Sequence, residues 1–183
     1  MAYGLLFLRV VVGASLFAHG AQKLFGWFGG HGPRGTAAFF GALGFRPPLA
    51  MALVAGVSEA AGLMFAAGFL TPFAAVAMAA TMVVAVGAVH WKNGFWMTNG
   101  GYEYNLVIWA VAVAVAATGP GRFSVDHALG WADNLSGAWW GAGVLAMSLA
   151  GGLLVLALRE IPPEPEATDE PLARETDGTR ISV

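Results

Sequence analysis

Long apolar segments separated by short polar stretches make up most of the first 158 residues of the chain. A helix that crosses the hydrocarbon of a bilayer needs about 20 mostly apolar residues. Five segments approach that length, at roughly residues 3–25, 48–68, 72–90, 101–118 and 139–158. The pattern therefore predicts an all-α, polytopic membrane helical bundle with five crossings.

Turn residues support this division of the chain. Gly68 is placed to end the second helix, while Thr71 suits the cap and Pro72 the first turn of the third. The second and third helices are thus predicted to form an antiparallel hairpin. The fourth segment is short, because its uninterrupted apolar sequence runs only over residues 106–117.

The composition agrees with a lipid environment. Of the 183 residues, 57% are hydrophobic and 11% are charged, against roughly 25% charged in an ordinary soluble domain. The net charge of -2 provides no basic field for nucleic acid. Because the chain has no cysteine, it cannot itself supply a disulfide, a thiolate or a ligand to an iron–sulfur cluster.

Basic residues near the ends of the spans predict the orientation. One side of the bilayer is expected to hold Lys23, Arg34, Arg46, Lys92 and Arg159. The other side has only Arg122 and Arg9. The positive-inside rule then predicts a multi-pass protein of the cell membrane with a cytoplasmic C-terminus. The tail at 159–183 is rich in proline and acidic residues, which predicts disorder.

Polar residues form a stripe along the first predicted helix. At 100° per residue one face carries Arg9, Gly13, Leu16, His19, Gly20 and Lys23. Glycines in the stripe would allow another helix to approach closely, and the polar members are candidate ligand contacts. Alternatively, Arg9 and Lys23 extend to the two membrane interfaces and have no other role.

Glu59 lies about 11 residues into the second predicted helix, close to the middle of the bilayer. A charge at that depth costs a few kcal/mol, so the group must be protonated, paired or hydrated. We expect its partners to be His19 and Arg9, each about 7 Å away in depth. Glu59 is a candidate for proton handling, and a purely structural hydrogen bond is the alternative.

His90, Tyr102 and Glu103 lie among aromatic residues at one predicted boundary. Tryptophan and tyrosine there are typical of an interfacial belt, but a belt does not explain Glu103. Its expected counterions are on the same side: Lys23, Lys92 and a protonated His19. Axial haem ligation by His19 and His90 is disfavoured, because their depths differ by roughly 9 Å. The histidine spacing also disfavours a zinc site.

Ser124 and Asp126 follow the fourth predicted helix. Ser124 resembles an N-cap, and Asp126 suits the first turn of a short helix. We expect an ion pair between Asp126 and either Arg9 or Arg122.

The order and spacing of these motifs resemble the DoxX family of small prokaryotic membrane proteins. The resemblance covers roughly residues 3–130 and rests on Arg9 with Gly13, His19-Gly20, Lys23-Leu24, 40–44 before Pro48, Glu59 within 56–63, Gly68 with Thr71, Tyr102-Glu103 and 119–126. It implies a four-helix domain at 1–134, and the predicted additional transmembrane helix at 135–158 and the tail at 159–183 extend beyond this usual pattern. It also implies site roles for Arg9, Glu59, Glu103 and Asp126, with Lys23 beside them.

The same resemblance implies a relation to the membrane subunit of a thiosulfate:quinone oxidoreductase, and to thiol redox balance and oxidative stress. The first hypothesis is a subunit of an oxidoreductase system that binds a quinone headgroup or small anion and works with soluble redox proteins. Glu59 and Glu103 would handle protons, and the ligand contacts would be Arg9, His19, Lys23, His90 and Tyr102. A solute carrier and a membrane scaffold are the alternatives, and homo-oligomerisation stays open.

Overall fold

The computed structural model describes residues 2–160, and over that range it is all-α, with no strand. The predicted tail beyond residue 160 lies outside the described residues. The α-helices are α1 (Ala2–Phe25), α2 (Gly32–Ala42), α3 (Pro48–Ala60), α4 (Gly62–Ala67), α5 (Thr71–Ala85), α6 (Glu103–Thr118), α7 (Val125–Ala128) and α8 (Ala138–Ala157).

Within residues 2–160, four helical stretches are long and apolar enough to cross a membrane: Ala2–Phe25, Pro48–Ala67, Thr71–Asn93 and Ala138–Ala157. The second of these joins α3 and α4 across Ala61. The third extends α5 through a π-helical turn at Val86–His90 and a 3-10 turn at Trp91–Asn93. At 16 residues, α6 is shorter, as its sequence predicts.

The two ends of the bundle are fixed by contacts between loops. At one end, here called the Asp126 end, the Asp126 amide donates to the Gly68 carbonyl oxygen, at 2.8 Å. At the other, the His90 end, His90 Nδ1 lies 2.7 Å from the Gly100 carbonyl oxygen.

The short helix α6 joins these two ends. It begins just after Gly100, at the His90 end. At its other terminus the Ala117 carbonyl accepts from the amide of Gly137, which leads into α8. It therefore traverses the bundle in about 24 Å, and α8 returns to the His90 end, where the Glu160 amide donates to the Gly44 carbonyl.

Helix α1 packs closely on α3 and α4 through its glycines. A Cβ added at Gly13 would lie 2.3 Å from the Gly62 carbonyl oxygen, and one at Gly20 would lie 2.5 Å from the Ala60 nitrogen. The predicted glycine stripe is therefore the contact surface of α1. On the other side of the bundle, α5 packs between α6 and α8 through alanines and methionines such as Ala75 and Met78.

Helix α2 was not among the predicted helices. It follows α1 at the His90 end and packs on α3. Phe40 of α2, Phe45 of the next loop and Ala52 of α3 form a second buried cluster there. This cluster forms part of the wall of the cavity described next.

Candidate ligand-binding site

A cavity of about 540 Å³ lies in the half of the bundle nearer the His90 end. It is bounded by parts of α1, α2, α3, α5, α6 and α8. Most of its lining is apolar, and the polar and titratable members are His19, Lys23, Ser58, Glu59, Thr81, His90, Tyr104 and Asn105. Its volume falls within the range of about 300–1,000 Å³ typical of small-molecule sites.

Lys23 and Glu59 form an ion pair in this cavity. The Glu59 side chain is 8% exposed and that of Lys23 is 24% exposed. Gly56 lets α1 lie close to α3 beside this pair, since a Cβ at that position would lie 2.7 Å from the Leu24 Cδ2. The chain therefore places a nearly buried carboxylate next to its counterion inside an apolar wall.

The expected partners of Glu59 need correction, because neither His19 nor Arg9 forms the pair. Side chains on a helix lean towards its N-terminus. The long side chain of Lys23 therefore extends from the His90 end of α1 back towards the depth of Glu59. His19 still lines the same cavity, on the exposed side of α1.

The ring of His90 is held by the loop that follows α5. The residue closes the π-helical turn at Val86–His90, and π-helical turns are frequent at functional sites. The Gly100 carbonyl oxygen 2.7 Å from Nδ1 can only accept. In neutral His90 the proton is therefore on Nδ1, and Nε2 can accept another.

Tyr104 and Asn105 form the polar part of the α6 wall, and neither is among the predicted site residues. Asn105 is buried, and its side-chain amide donates to the Met82 sulfur at 3.5 Å. The signal in the sequence is a polar pair at the start of a short apolar helix. Ser58 and Thr81 were also missed, although Ser58 directly precedes Glu59.

Glu103 and Tyr102 lie outside this cavity. Glu103 accepts a hydrogen bond from the Met97 amide at 3.1 Å, and within residues 2–160 it has no ion pair within 4.0 Å. Its expected pairing with Lys23 is thus wrong, because Lys23 is engaged by Glu59. Tyr102 stacks on Trp91 with ring centroids 5.5 Å apart and lines a separate apolar groove of about 340 Å³.

Arg9 ties α1 to the loop after α6, far from the cavity. It is fully buried, and its guanidinium donates to the carbonyl oxygens of Pro120 at 2.6 Å and Phe123 at 2.5 Å. Arg122 lies in this loop and has no ion pair with a described residue. The structure therefore assigns Arg9 to closing the Asp126 end.

Asp126 caps a helix that is distant in sequence. Its carboxylate accepts from the Leu70 amide at 2.8 Å, the Thr71 amide at 3.0 Å and the Thr71 hydroxyl at 2.6 Å. These donors lie at the start of α5, where unpaired amides favour negative charge. The expected ion pair of Asp126 with Arg9 or Arg122 is not found among residues 2–160. Ser124 caps α7, accepting from the His127 amide at 3.2 Å.

The chemistry available in the cavity is hydrogen bonding and proton transfer. Lys23 is a cationic donor, Glu59 and His90 can exchange protons, and Tyr104 and Asn105 carry polar hydrogens. No group of three potential metal-ligating side chains occurs in the part of the chain that the structure describes. The site is therefore suited to a ligand that has a flat or apolar body and a few acceptor atoms.

Comparison with known proteins agrees with this architecture. The DoxX family model matches residues 4–91, which include α2 to α5, α1 apart from its first two residues, and every α1 and α3 residue of the cavity. Neither a search of curated proteins nor a search of solved structures found a match. The domain boundary at residue 134 stays a prediction. Residues 4–91 of the chain match the model of the DoxX family of membrane proteins.

Proposed function

We propose that the cavity binds the headgroup of a quinone and that the protein serves as a membrane subunit of an oxidoreductase system. The observation that carries this proposal is the Lys23–Glu59 ion pair, which lies among mostly apolar walls in a cavity of ligand size. A cation and a carboxylate in such a site suit a ligand that has carbonyl oxygens and exchanges protons during its reaction.

The walls of the cavity favour a ligand that arrives from the lipid. Phe39 and Val54 line it while being 52% and 58% exposed on the outer surface of the bundle. In a membrane that surface faces acyl chains. A quinone is an apolar molecule with two polar oxygens, and it could enter by this route without passing through water.

Lys23 and Tyr104 would donate hydrogen bonds to carbonyl oxygens of the ligand, and Glu59 would hold a proton beside them. Reduction of a quinone to a quinol takes up two electrons and two protons. The electrons would come from a partner redox protein, in keeping with the resemblance to the membrane subunit of a thiosulfate:quinone oxidoreductase. His90, at the water-facing end of the cavity, would supply protons through Nε2.

A solute carrier is the weaker alternative. A carrier needs a path that can open to both sides, whereas the cavity occupies one half of the bundle. The opposite half is closed by the buried Arg9 and by the Asp126 cap on α5. The expected scaffold role depended on the tail, which lies outside the described residues.

The proposal predicts that Glu59→Gln weakens quinone binding by about 10- to 100-fold. This is the size of one hydrogen bond to a charged group, which the ligand would lose because neutral Gln no longer holds the Lys23 ammonium beside the cavity. The measurement is quinone retained by the wild type and the variant after purification in mild detergent, by mass spectrometry, with titration of added quinone. Asp133→Asn, an exposed carboxylate at the Asp126 end, is the control. Equal binding by all three proteins would contradict the proposal.

A further inference from the structure

Asn105 is a buried amide with almost no partners. It is 6% exposed, and within residues 2–160 the only hydrogen bond of its side chain goes to the Met82 sulfur, at 3.5 Å. A thioether is a weak acceptor, whereas buried polar side chains usually have good partners. The amide thus has hydrogen-bonding capacity at the cavity wall that contacts within the described structure leave largely unused.

The position of Asn105 explains why such a residue is present. It lies on α6 and lines the cavity, whereas Lys23 and Glu59 line it from α1 and α3. The cavity therefore has hydrogen-bonding groups on two separate walls. Asn105 also lines the apolar groove beside Trp91, so it lies between the cavity and that groove.

We propose that Asn105 recognises a second carbonyl oxygen of the ligand, in addition to the one near Lys23. The site would then select rings with two carbonyl groups over rings with one. On binding, the Nδ2 hydrogen would exchange its weak contact with sulfur for an oxygen acceptor. The inference rests on the proposed function, because it gives Asn105 a role in the same site.

A ligand-recognition role and a structural role predict opposite effects on stability. Leucine resembles asparagine in size and needs no hydrogen bond, so Asn105→Leu should keep or raise the midpoint of thermal unfolding without ligand. Ser148 is the matched control, since it is fully buried but well bonded. It accepts from Trp109 Nε1 at 3.0 Å and donates to the Leu145 carbonyl at 3.1 Å. Ser148→Ala should lower the midpoint and leave ligand binding unchanged.

The test compares two probes, 1,4-naphthoquinone with two carbonyls and 1-tetralone with one, by titration of the protein in lipid nanodiscs. We expect the wild type to prefer the quinone by roughly 3- to 10-fold, the effect of one hydrogen bond, and Asn105→Leu to lose that preference. An unchanged preference, or a clearly lower unfolding midpoint for Asn105→Leu, would overturn the inference while leaving the proposed function intact. Failure of the wild type to bind either probe would instead contradict the proposed function.

Discussion

Buried and half-buried charged residues have two different uses in this protein. Arg9 and Asp126 are fully buried, and their partners are backbone carbonyls, backbone amides and the Thr71 hydroxyl, which join loops to helices. Lys23 and Glu59 pair with each other in a cavity that has room for a ligand. The first arrangement holds the bundle closed, and the second leaves polar atoms available for chemistry.

Removing one partner of the Lys23–Glu59 ion pair should destabilise the protein. Lys23→Met leaves Glu59 without its counterion in an apolar wall, and we expect a loss of about 3 kcal/mol in the free energy of unfolding. This is the low end for buried pairs, because Lys23 keeps 24% of its side chain exposed. The double variant Lys23→Met/Glu59→Gln should recover most of the loss. Reversible unfolding in bicelles measures the free energy of unfolding of both variants. A value for Lys23→Met equal to that of the wild type would contradict the Lys23–Glu59 ion pair.

The importance of Glu59 could be predicted from the sequence, but its partner could not. A carboxylate in mid-span must be compensated wherever the chain folds. Which cation compensates it depends on how α1 and α3 are packed, over a separation of 36 residues. Asn105 was missed for a similar reason, because its significance lies in its lack of partners, which only the packing of α6 on α5 reveals.

At the scale of helices, glycines decide how near α1 lies to its neighbours. The backbones of α1 and α4 approach so closely that a Cβ at either Gly13 or Gly62 would lie 2.3 Å from the other residue's carbonyl oxygen. Small residues allow such contacts between membrane helices. A second close approach, where a Cβ at Gly20 would lie 2.6 Å from the Gly56 carbonyl oxygen, lies beside the Lys23–Glu59 pair.

Adding one methyl group to this contact should therefore loosen it. We expect Gly13→Ala to lower the free energy of unfolding by about 1–3 kcal/mol, the usual effect of overpacking. Gly4→Ala on the same helix is the matched control, because a Cβ there meets nothing within 4 Å. The free energy of unfolding of both variants is measured in bicelles. Equal values for Gly13→Ala and Gly4→Ala would contradict the close backbone contact between α1 and α4.

The spans could be predicted from hydrophobic length, and their proline and glycine boundaries agree with the structure to within a few residues. Helix α2 could not, because its 11 residues are too few for a span and its apolar residues pack on α3. The π-helical turn before His90 was missed as well, since the hydrophobic pattern of α5 continues through it without a break.

At the scale of the whole molecule, the bundle has two unlike ends. The Asp126 end is closed by the buried Arg9 and by the cap on α5, and the cavity lies towards the His90 end. Most of the basic residues at the boundaries also belong to the His90 end: Lys23, Arg34, Arg46, Lys92 and Arg159. We propose on that basis that the His90 end faces the cytoplasm.

The absence of cysteine makes this orientation easy to test. Thr98→Cys introduces an exposed thiol at the His90 end, and Asn134→Cys introduces one at the Asp126 end. We expect an impermeant thiol reagent to label Asn134→Cys in intact cells, and to label Thr98→Cys only after the membrane is permeabilised. The reverse pattern would place the cavity on the outer side.

The most direct test of the central claim is to locate the ligand in the bundle. A photoreactive quinone analogue is added to the protein in lipid nanodiscs, and labelled residues are mapped by mass spectrometry with and without excess unmodified quinone. We predict labels that the quinone displaces near Lys23, near Glu59 and at the start of α6. Labels confined to lipid-facing residues such as Phe7 and Leu154, and not displaced by the quinone, would contradict the account.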